Sequence, residues 1–216
     1  MPGQPVKPEA FSGLSRDPAP LLGGSPAHRR ARTVTPLSWD PTPGAHIYVD
    51  ESTAGDYLLM GAVVASADAP QMRSVMRGLL LPRSRSLHMR KEQKRAATIL
   101  GTVVGLGPNV AIFRVSRTTP ALDARRATVH ALAELACQLR ADRVVFDTID
   151  SMSARDRAWV IEGVHLAGEP TPPFGYHHQR RHEEPLLWIP DAVGWAWARG
   201  GQHRRAVERI CYLVDL

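Results

Sequence analysis

The chain has 216 residues, 44% of them hydrophobic, which allows one folded domain with a tail but not two full domains. Its net charge of +6 suits a polyanionic partner, although 24 of the 27 basic residues are arginine, as a GC-rich genome alone would produce. Two isolated cysteines and the absence of a signal peptide or a roughly 20-residue apolar span predict a cytoplasmic protein without a disulfide framework, zinc ribbon or membrane segment.

The first 44 residues differ in composition from the rest of the chain. They hold nine of the 18 prolines, repeated Gly and Ser, and the basic cluster HRRAR at residues 28–32, without a periodic apolar pattern. Such a segment buries too little apolar surface to offset the entropy of ordering. We therefore predict a flexible tail over residues 1–44, which either touches nucleic acid through its arginines or is only a solvated extension. The folded domain is predicted over residues 45–216.

Two strand patterns open the predicted domain. The segments HIYVD (46–50) and YLLMGAVVA (57–65) are rich in β-branched and aromatic residues, and the turn-prone ESTAGD lies between them, which predicts a hairpin. Residues 70–106 predict mostly helix, including LHMRKE at 87–92. NVAIFRVS (109–116) then predicts a third strand.

The second half of the chain alternates helix and strand patterns. Apolar residues at helical spacing predict a helix in LDARRATVHALAELACQLR, followed by a fourth strand, RVVFD (143–147). Ser153 and Asp156 resemble a capping box and predict another helix, FGYHH (174–178) predicts a short strand, and residues 189–201 and 202–214 predict helices. Apart from a helical insert after the second strand, this order predicts an α/β ribonuclease H-like mixed sheet flanked by helices.

Acidic residues stand where this plan brings carboxylates together, at the ends of the first and fourth strands and on the last helix. Asp50 closes the first strand, Asp147 closes the fourth with Asp150 just after it, and Asp191 follows a proline in the first turn of a C-terminal helix. Clustered carboxylates repel one another unless a cation neutralises them. Because oxygen ligands suit hard divalent cations, we predict that these four acids bind Mg²⁺ or Mn²⁺.

Each of these acids also has a structural interpretation. Asp50 and Glu51 could be turn residues, and because successive strand side chains face opposite ways, at most one of them should enter the site; we favour Asp50. Asp191 could be a helix N-terminal charge stabilised by the dipole, and Asp150 could cap the following helix.

A fourth feature is LHMRKE at residues 87–92. If it is helical, His88 and Glu92 stand at i and i+4 on one face, with Lys91 beside them. His88 would then protonate a leaving oxygen or place a phosphate, Glu92 would complete the metal shell, and Lys91 would bind nucleic acid. The alternative is a solvated helix with a salt-bridge pair.

These motifs carry a family resemblance. The segments YVDES, LHMRKE, VVFDTIDS and HEEPLLWIPDAVGWAWARGG resemble the actinobacterial branch of the ribonuclease H-like proteins of the domain-of-unknown-function 3800 family, over about Ala45 to the C-terminus. The resemblance implies that Asp50, the two acids of DTID and Asp191 form the metal-binding set; members of the family are predicted nucleases without a proven activity. The long tail departs from the family pattern, and the spacing leaves open whether Asp147 or Asp150 is the ligand.

The cluster YHHQRRHEEP at residues 176–185 has two interpretations. His178 and His182 have the spacing of a zinc site, but no other ligand pair matches them. We favour a phosphate-facing loop in which His178, Arg180 and Arg181 bind nucleic acid and one of three nearby tryptophans stacks a base. For two of these, Trp195 and Trp197, we expect core packing instead.

The sequence therefore predicts a divalent-metal-dependent nuclease that hydrolyses phosphodiester bonds in DNA or RNA, with His88, Glu92 and the carboxylates as catalytic residues. The alternative is a non-catalytic nucleic-acid-binding or protein-interaction adaptor that retains the fold. The intact set of acids favours the enzyme.

Overall fold

The computed structural model describes residues 44–149 and 151–216. The predicted tail, apart from Gly44, and the predicted ligand Asp150 lie outside these residues. None of the described helices is both long enough and apolar enough to cross a membrane.

Within the described residues, six strands form one mixed sheet. Its strands are β1 (His46–Ser52), β2 (Tyr57–Val64), β3 (Asn109–Val115), β4 (Arg143–Asp147), β5 (Gly175–Gln179) and β6 (Cys211–Asp215). Their order across the sheet is β5-β4-β1-β2-β3-β6. The first three strands pair antiparallel, and β4 and β5 are added in parallel on the β1 side. The predicted ribonuclease H-like fold is confirmed.

Helices cover both faces of the sheet. They are α1 (Ala69–Arg77), α2 (Ala96–Leu106), α3 (Ala121–Gln138), α4 (Ser153–Leu166), α5 (Trp188–Arg199) and α6 (Gly201–Val207). One apolar core lies between the sheet and α1, α2 and α5, and it contains Tyr48 of β1. The other lies between the sheet and α3 and α4, and it contains Val49. The period-two alternation of β1 therefore assigns its side chains to two separate layers.

Three local predictions are wrong. Residues 87–92 form turns rather than a helix, and regular helical hydrogen bonding resumes only with a 3₁₀ turn, Gln93–Arg95, ahead of α2. The last predicted helix ends early, because Cys211–Asp215 pairs in parallel with β3 as a sixth strand. Ser153 and Asp156 do not form a capping box: among the described residues no side chain caps α4, and Asp156 instead accepts hydrogen bonds from Arg125.

Helix α5 approaches β2 closely at one glycine. A Cβ atom on Gly194 would collide with the side chain of Met60, which is the β2 partner of Asp50 in the sheet. The missing side chain lets the helix lie against the strands at this point. This approach brings Asp191, one turn earlier on α5, to the end of β1.

Candidate functional site

The two adjacent acids at the end of β1 point to opposite faces of the sheet. The carboxylate of Glu51 accepts hydrogen bonds from Arg125 of α3 and from the hydroxyl of Tyr57, on the α3 and α4 side. The carboxylate of Asp50 lies on the α5 side, and its side chain is 11% exposed. A regular strand through both residues therefore separates them into two sites, with Asp50 on the side of Asp191.

Three carboxylates surround one guanidinium on the α5 side. Arg181 hydrogen bonds closely to Asp147 at the end of β4 through its Nε and one terminal nitrogen. The same guanidinium lies 3.7 Å from Asp50 Oδ1 and 3.5 Å from Asp191 Oδ1. The structure thus brings together Asp50, Asp147 and Asp191, which are distant in sequence, and adds a cation between them.

The segment before α5 fixes the position of Arg181. The indole nitrogen of Trp188 donates a hydrogen bond to the carbonyl oxygen of Arg181, at 2.7 Å. Glu184 accepts the backbone N–H of Leu186 and forms a two-pronged ion pair with Arg73 of α1. Trp188 and Glu184 both belong to the motif HEEPLLW (residues 182–188), so this motif holds Arg181 and the start of α5 together.

Asp191 holds His88 at the cluster. One of its carboxylate oxygens lies 2.9 Å from Nδ1 of His88, and the other accepts the backbone N–H of Met89 at 2.8 Å. A terminal nitrogen of Arg181 is also 2.9 Å from Nδ1 of His88. The imidazole is therefore fixed beside the carboxylates through Nδ1, which leaves Nε2 as the nitrogen for other partners.

One guanidinium does not fully compensate three carboxylates. Burial raises the pKa of Asp50 well above its ordinary value, the neighbouring charges of Asp191 and Asp147 raise it further, and Arg181 offsets only part of this. Burial opposes the charge of Arg181, but the three acids outweigh it and raise the pKa of the guanidinium. The positive charge of Arg181 is therefore too small to neutralise the three carboxylates of the cluster.

The oxygen atoms of this cluster are suitable ligands for a divalent cation, but they are not arranged as a metal site in this structure. Carboxylate oxygens suit Mg²⁺ and Mn²⁺, and Gln179, in register with Asp147 on the same face, has a buried amide oxygen with no hydrogen-bond partner among the described residues. Within residues 44–149 and 151–216, however, no three Asp, Glu, His or Cys side chains are arranged to hold a metal ion. A metal ion here would have to displace Arg181.

Other predicted site residues lie away from the cluster. Glu92 pairs with Arg95 at 2.9 Å, because the turn at 87–92 does not place it on the same face as His88. Lys91 is exposed on that turn. These positions follow from the wrong prediction of a helix, since i and i+4 residues are neighbours only on a helix.

The histidine and arginine cluster of residues 176–185 divides between two faces. His178 points to the α4 side, where its Nε2 is 3.4 Å from Asp156. His182 lies 3.8 Å from Glu183, and the described residues hold no group of three ligands for a zinc ion at the two histidines. Arg180 is exposed on the loop, and of these residues only Arg181 enters the carboxylate cluster.

An open cleft of about 620 Å³ extends from the carboxylates. Its lining includes Asp50, His88, Arg181 and Asp191, and beyond them Arg90, Trp195 and Arg199. Sequence reasoning missed Arg90 and Arg199, and it assigned Trp195 to the core. The signal was present, because Asp191, Trp195 and Arg199 are four residues apart and share one face of α5. Trp197 is buried as expected, with 9% exposure.

Comparison with known proteins gives a likeness of fold alone. No protein-family model and no curated protein matches the sequence. Among solved structures, the chain is similar to ribonuclease HII of Archaeoglobus fulgidus, solved in complex with PCNA. The identity is 13% and the TM-score is 0.45, over 76% of this chain and 75% of that chain. A likeness at this level carries no argument about activity or site residues.

Proposed function

We propose that the protein is a divalent-metal-dependent nuclease that hydrolyses phosphodiester bonds in DNA or RNA. The observation that supports this most directly is the meeting of Asp50, Asp147 and Asp191, from two strands and a helix, around a single cation beside a cleft that Asp50 and Asp191 line. Three acids with one guanidinium retain negative charge, and a divalent ion would neutralise it.

In this proposal Asp50, Asp147 and Asp191 hold Mg²⁺ or Mn²⁺, with the amide oxygen of Gln179 next to them. When bound, such ions activate water and stabilise the leaving oxygen of a phosphodiester. The role of the carboxylates is then to bind and orient, and no covalent chemistry is required of them. Burial of Asp50 strengthens its interaction with any cation at this position.

Arg181 and His88 have separate roles in the proposal. Once displaced from the carboxylates, the guanidinium of Arg181 remains at the cleft, where its planar donors match phosphate oxygens. His88, held through Nδ1 by Asp191, offers Nε2 to donate a proton to the leaving oxygen. Trp188 keeps the backbone of Arg181 in place, so only the side chain has to move.

One observation favours the alternative, a nucleic-acid-binding adaptor without catalysis. Arg181 contacts all three acids, and an arginine in the place of a metal ion neutralises part of their charge permanently. In an adaptor the cluster would only stabilise the sheet edge, and metal would bind weakly or not at all.

Substitution of Asp50 tests the proposal. Asp50→Asn keeps the side-chain shape and removes the charge, so cleavage of labelled DNA or RNA with Mg²⁺ or Mn²⁺ should fall by orders of magnitude. Mn²⁺ should raise the melting temperature of the wild type by mass action, and raise that of the variant less. The matched control is Asp215→Asn, which removes an exposed carboxylate of β6 paired with Arg114. Equal metal stabilisation of all three proteins, without cleavage, would support the adaptor.

A further inference from the structure

A half-buried tryptophan lies in the cleft at helical spacing from the carboxylate cluster. Asp191, Trp195 and Arg199 follow one another at intervals of four on α5, so they form a stripe along one face with about 6 Å between members. All three line the cleft. The stripe presents a carboxylate, an aromatic ring and a guanidinium in that order, leading away from Asp50.

Trp195 differs from the other tryptophans of its helix. Trp188 is 1% exposed and Trp197 is 9% exposed, and both belong to the core beneath the sheet. Trp195 only packs against the edge of that core and keeps part of its ring at the cleft. Its ring meets the imidazole of His203 at 4.8 Å, edge to face, and the guanidinium of Arg199 at 5.7 Å. These neighbours hold the indole in a fixed orientation.

A second segment of the cleft lining adds positive charge. Arg90, on the turn that carries His88, is exposed and lines the cleft. Neither Arg90 nor Arg199 makes an ion pair with the residues that the structure describes. A phosphate group bound between them would therefore break no existing ion pair. Ser52, at the end of β1, and Thr53 add small polar side chains to the lining.

We infer that the cleft binds an unpaired nucleotide of single-stranded nucleic acid, with its base stacked on Trp195 and its backbone phosphates held by Arg199 and Arg90. This inference rests on the proposed function and names its substrate class. A positively charged groove with an aromatic stacking surface is the combination by which proteins hold single strands without reading their sequence. The 6 Å step along α5 places the stacked base next to the carboxylates.

Geometry argues against a base-paired substrate at this position. Bases inside a duplex stack on each other, so their faces are covered, and an aromatic side chain meets them only when the nucleotide is unpaired or extruded. Trp195 lies inside a cleft of about 620 Å³ rather than on a convex surface, so an intact duplex cannot bring a base face to it. Specificity for unpaired strands would thus follow from the shape of the cleft and not from base-edge contacts.

The test is binding without metal, measured by fluorescence anisotropy with a labelled oligothymidine of about ten nucleotides and with a duplex of equal length, in EDTA. The wild type should bind the single strand more tightly than the duplex. Trp195→Ala should weaken single-strand binding roughly tenfold, and Trp195→Phe should retain most of it. The matched control is Trp159→Ala, which alters a half-buried tryptophan packed in the other core, on α4, and should not affect binding.

A second variant covers the case in which Trp195→Ala does not fold. Arg199 is exposed, so Arg199→Gln should fold normally, weaken single-strand binding and reduce the slope of its salt dependence by about one counterion. Duplex binding as tight as single-strand binding, or an Arg199→Gln variant that binds the single strand like the wild type, would overturn the inference even if metal-dependent cleavage is found. Trp195-dependent binding without any cleavage would uphold it and remove the nuclease proposal.

Discussion

Two arginine–carboxylate clusters lie at the same end of the sheet, on opposite faces, and they differ in how well the arginine satisfies the acids. Arg125, 6% exposed, donates two hydrogen bonds of 2.7 and 2.8 Å to the two oxygens of Asp156 and another to Glu51. Of its three acids, Arg181, 26% exposed, hydrogen bonds only to Asp147, and Asp50 and Asp191 are 3.7 and 3.5 Å away. Arg125 is thus paired with two carboxylates, whereas Arg181 lies among three.

The pKa directions reflect this difference. Burial alone would raise the pKa of Asp156, but hydrogen bonds from Arg125 and His178 outweigh it and lower the pKa. Burial and the charges of Asp191 and Asp147 together raise the pKa of Asp50, because Arg181 compensates too little. Both carboxyl groups are buried, so the neighbouring charged groups decide whether the pKa of each is raised or lowered. In the Arg125 cluster both acids are hydrogen-bonded to the arginine and the cluster is structural, whereas the Arg181 cluster has room for more positive charge.

The largest effect on stability should come from a substitution in the Arg125 cluster. Asp156→Asn leaves the buried guanidinium of Arg125 without its main counter-charge, which should cost about 3 kcal/mol of unfolding free energy. Urea denaturation at neutral pH measures this. Since the pKa of Asp156 is lowered in the folded state, its stabilisation is present above about pH 4 and is lost as the pH falls through the folded value. A variant as stable as the wild type at neutral pH would show that this cluster is not the structural one.

Removal of Arg181 should have an intermediate effect. In EDTA, Arg181→Gln leaves three carboxylates without their cation and should destabilise the protein by about 1–3 kcal/mol. Added Mn²⁺ should then raise the melting temperature more than it does in the wild type, because no guanidinium competes for the acids. An exposed arginine of α6 provides the control, since Arg205→Gln should change neither quantity. No gain in metal stabilisation would mean that Arg181 does not occupy a cation site.

Asp50→Asn should have a smaller effect of the opposite sign. Because the folded pKa is raised, the wild type loses stability as the pH increases from about 4 through that folded value. The variant avoids this loss, so without metal it should be more stable at pH 8, by on the order of 1 kcal/mol, and equal to the wild type below pH 4. Thermal melts across this pH range in EDTA would reveal it. A stability loss at pH 8 would contradict the comparison of the two clusters.

Glu92→Gln should have the smallest effect. Glu92 belongs to neither cluster and pairs with Arg95, so the substitution should cost at most about 1 kcal/mol. The rise in melting temperature on adding Mn²⁺ should equal that of the wild type. An altered metal response would bring Glu92 back into the metal shell, as its spacing from His88 predicted, and would require a rearrangement of residues 87–92.

Several features of the site could be predicted because they depend on short sequence patterns. The alternation of β1 assigns Asp50 and Glu51 to opposite faces, and the proline followed by Asp191 indicates the first turn of a helix. The turn at 87–92 could not be predicted, because its apolar and charged residues also fit a helix. Its course is set by Asp191, 102 residues later, which accepts the backbone N–H of Met89.

By itself, the sequence determined the order of the first five strands and the placement of acids at the strand ends, because hydrophobic periodicity and turn residues act over a few positions. Only the tertiary structure decided which charges meet. Arg181 is distant in the chain from Asp50 and lies 34 residues from Asp147, and Arg125 is 31 residues from Asp156. Ion-pair energies depend on distance in space and on burial, and a linear pattern specifies neither. The folded structure therefore contains two different clusters: both acids of the Arg125 cluster are hydrogen-bonded to their arginine, whereas the Arg181 cluster still lacks positive charge.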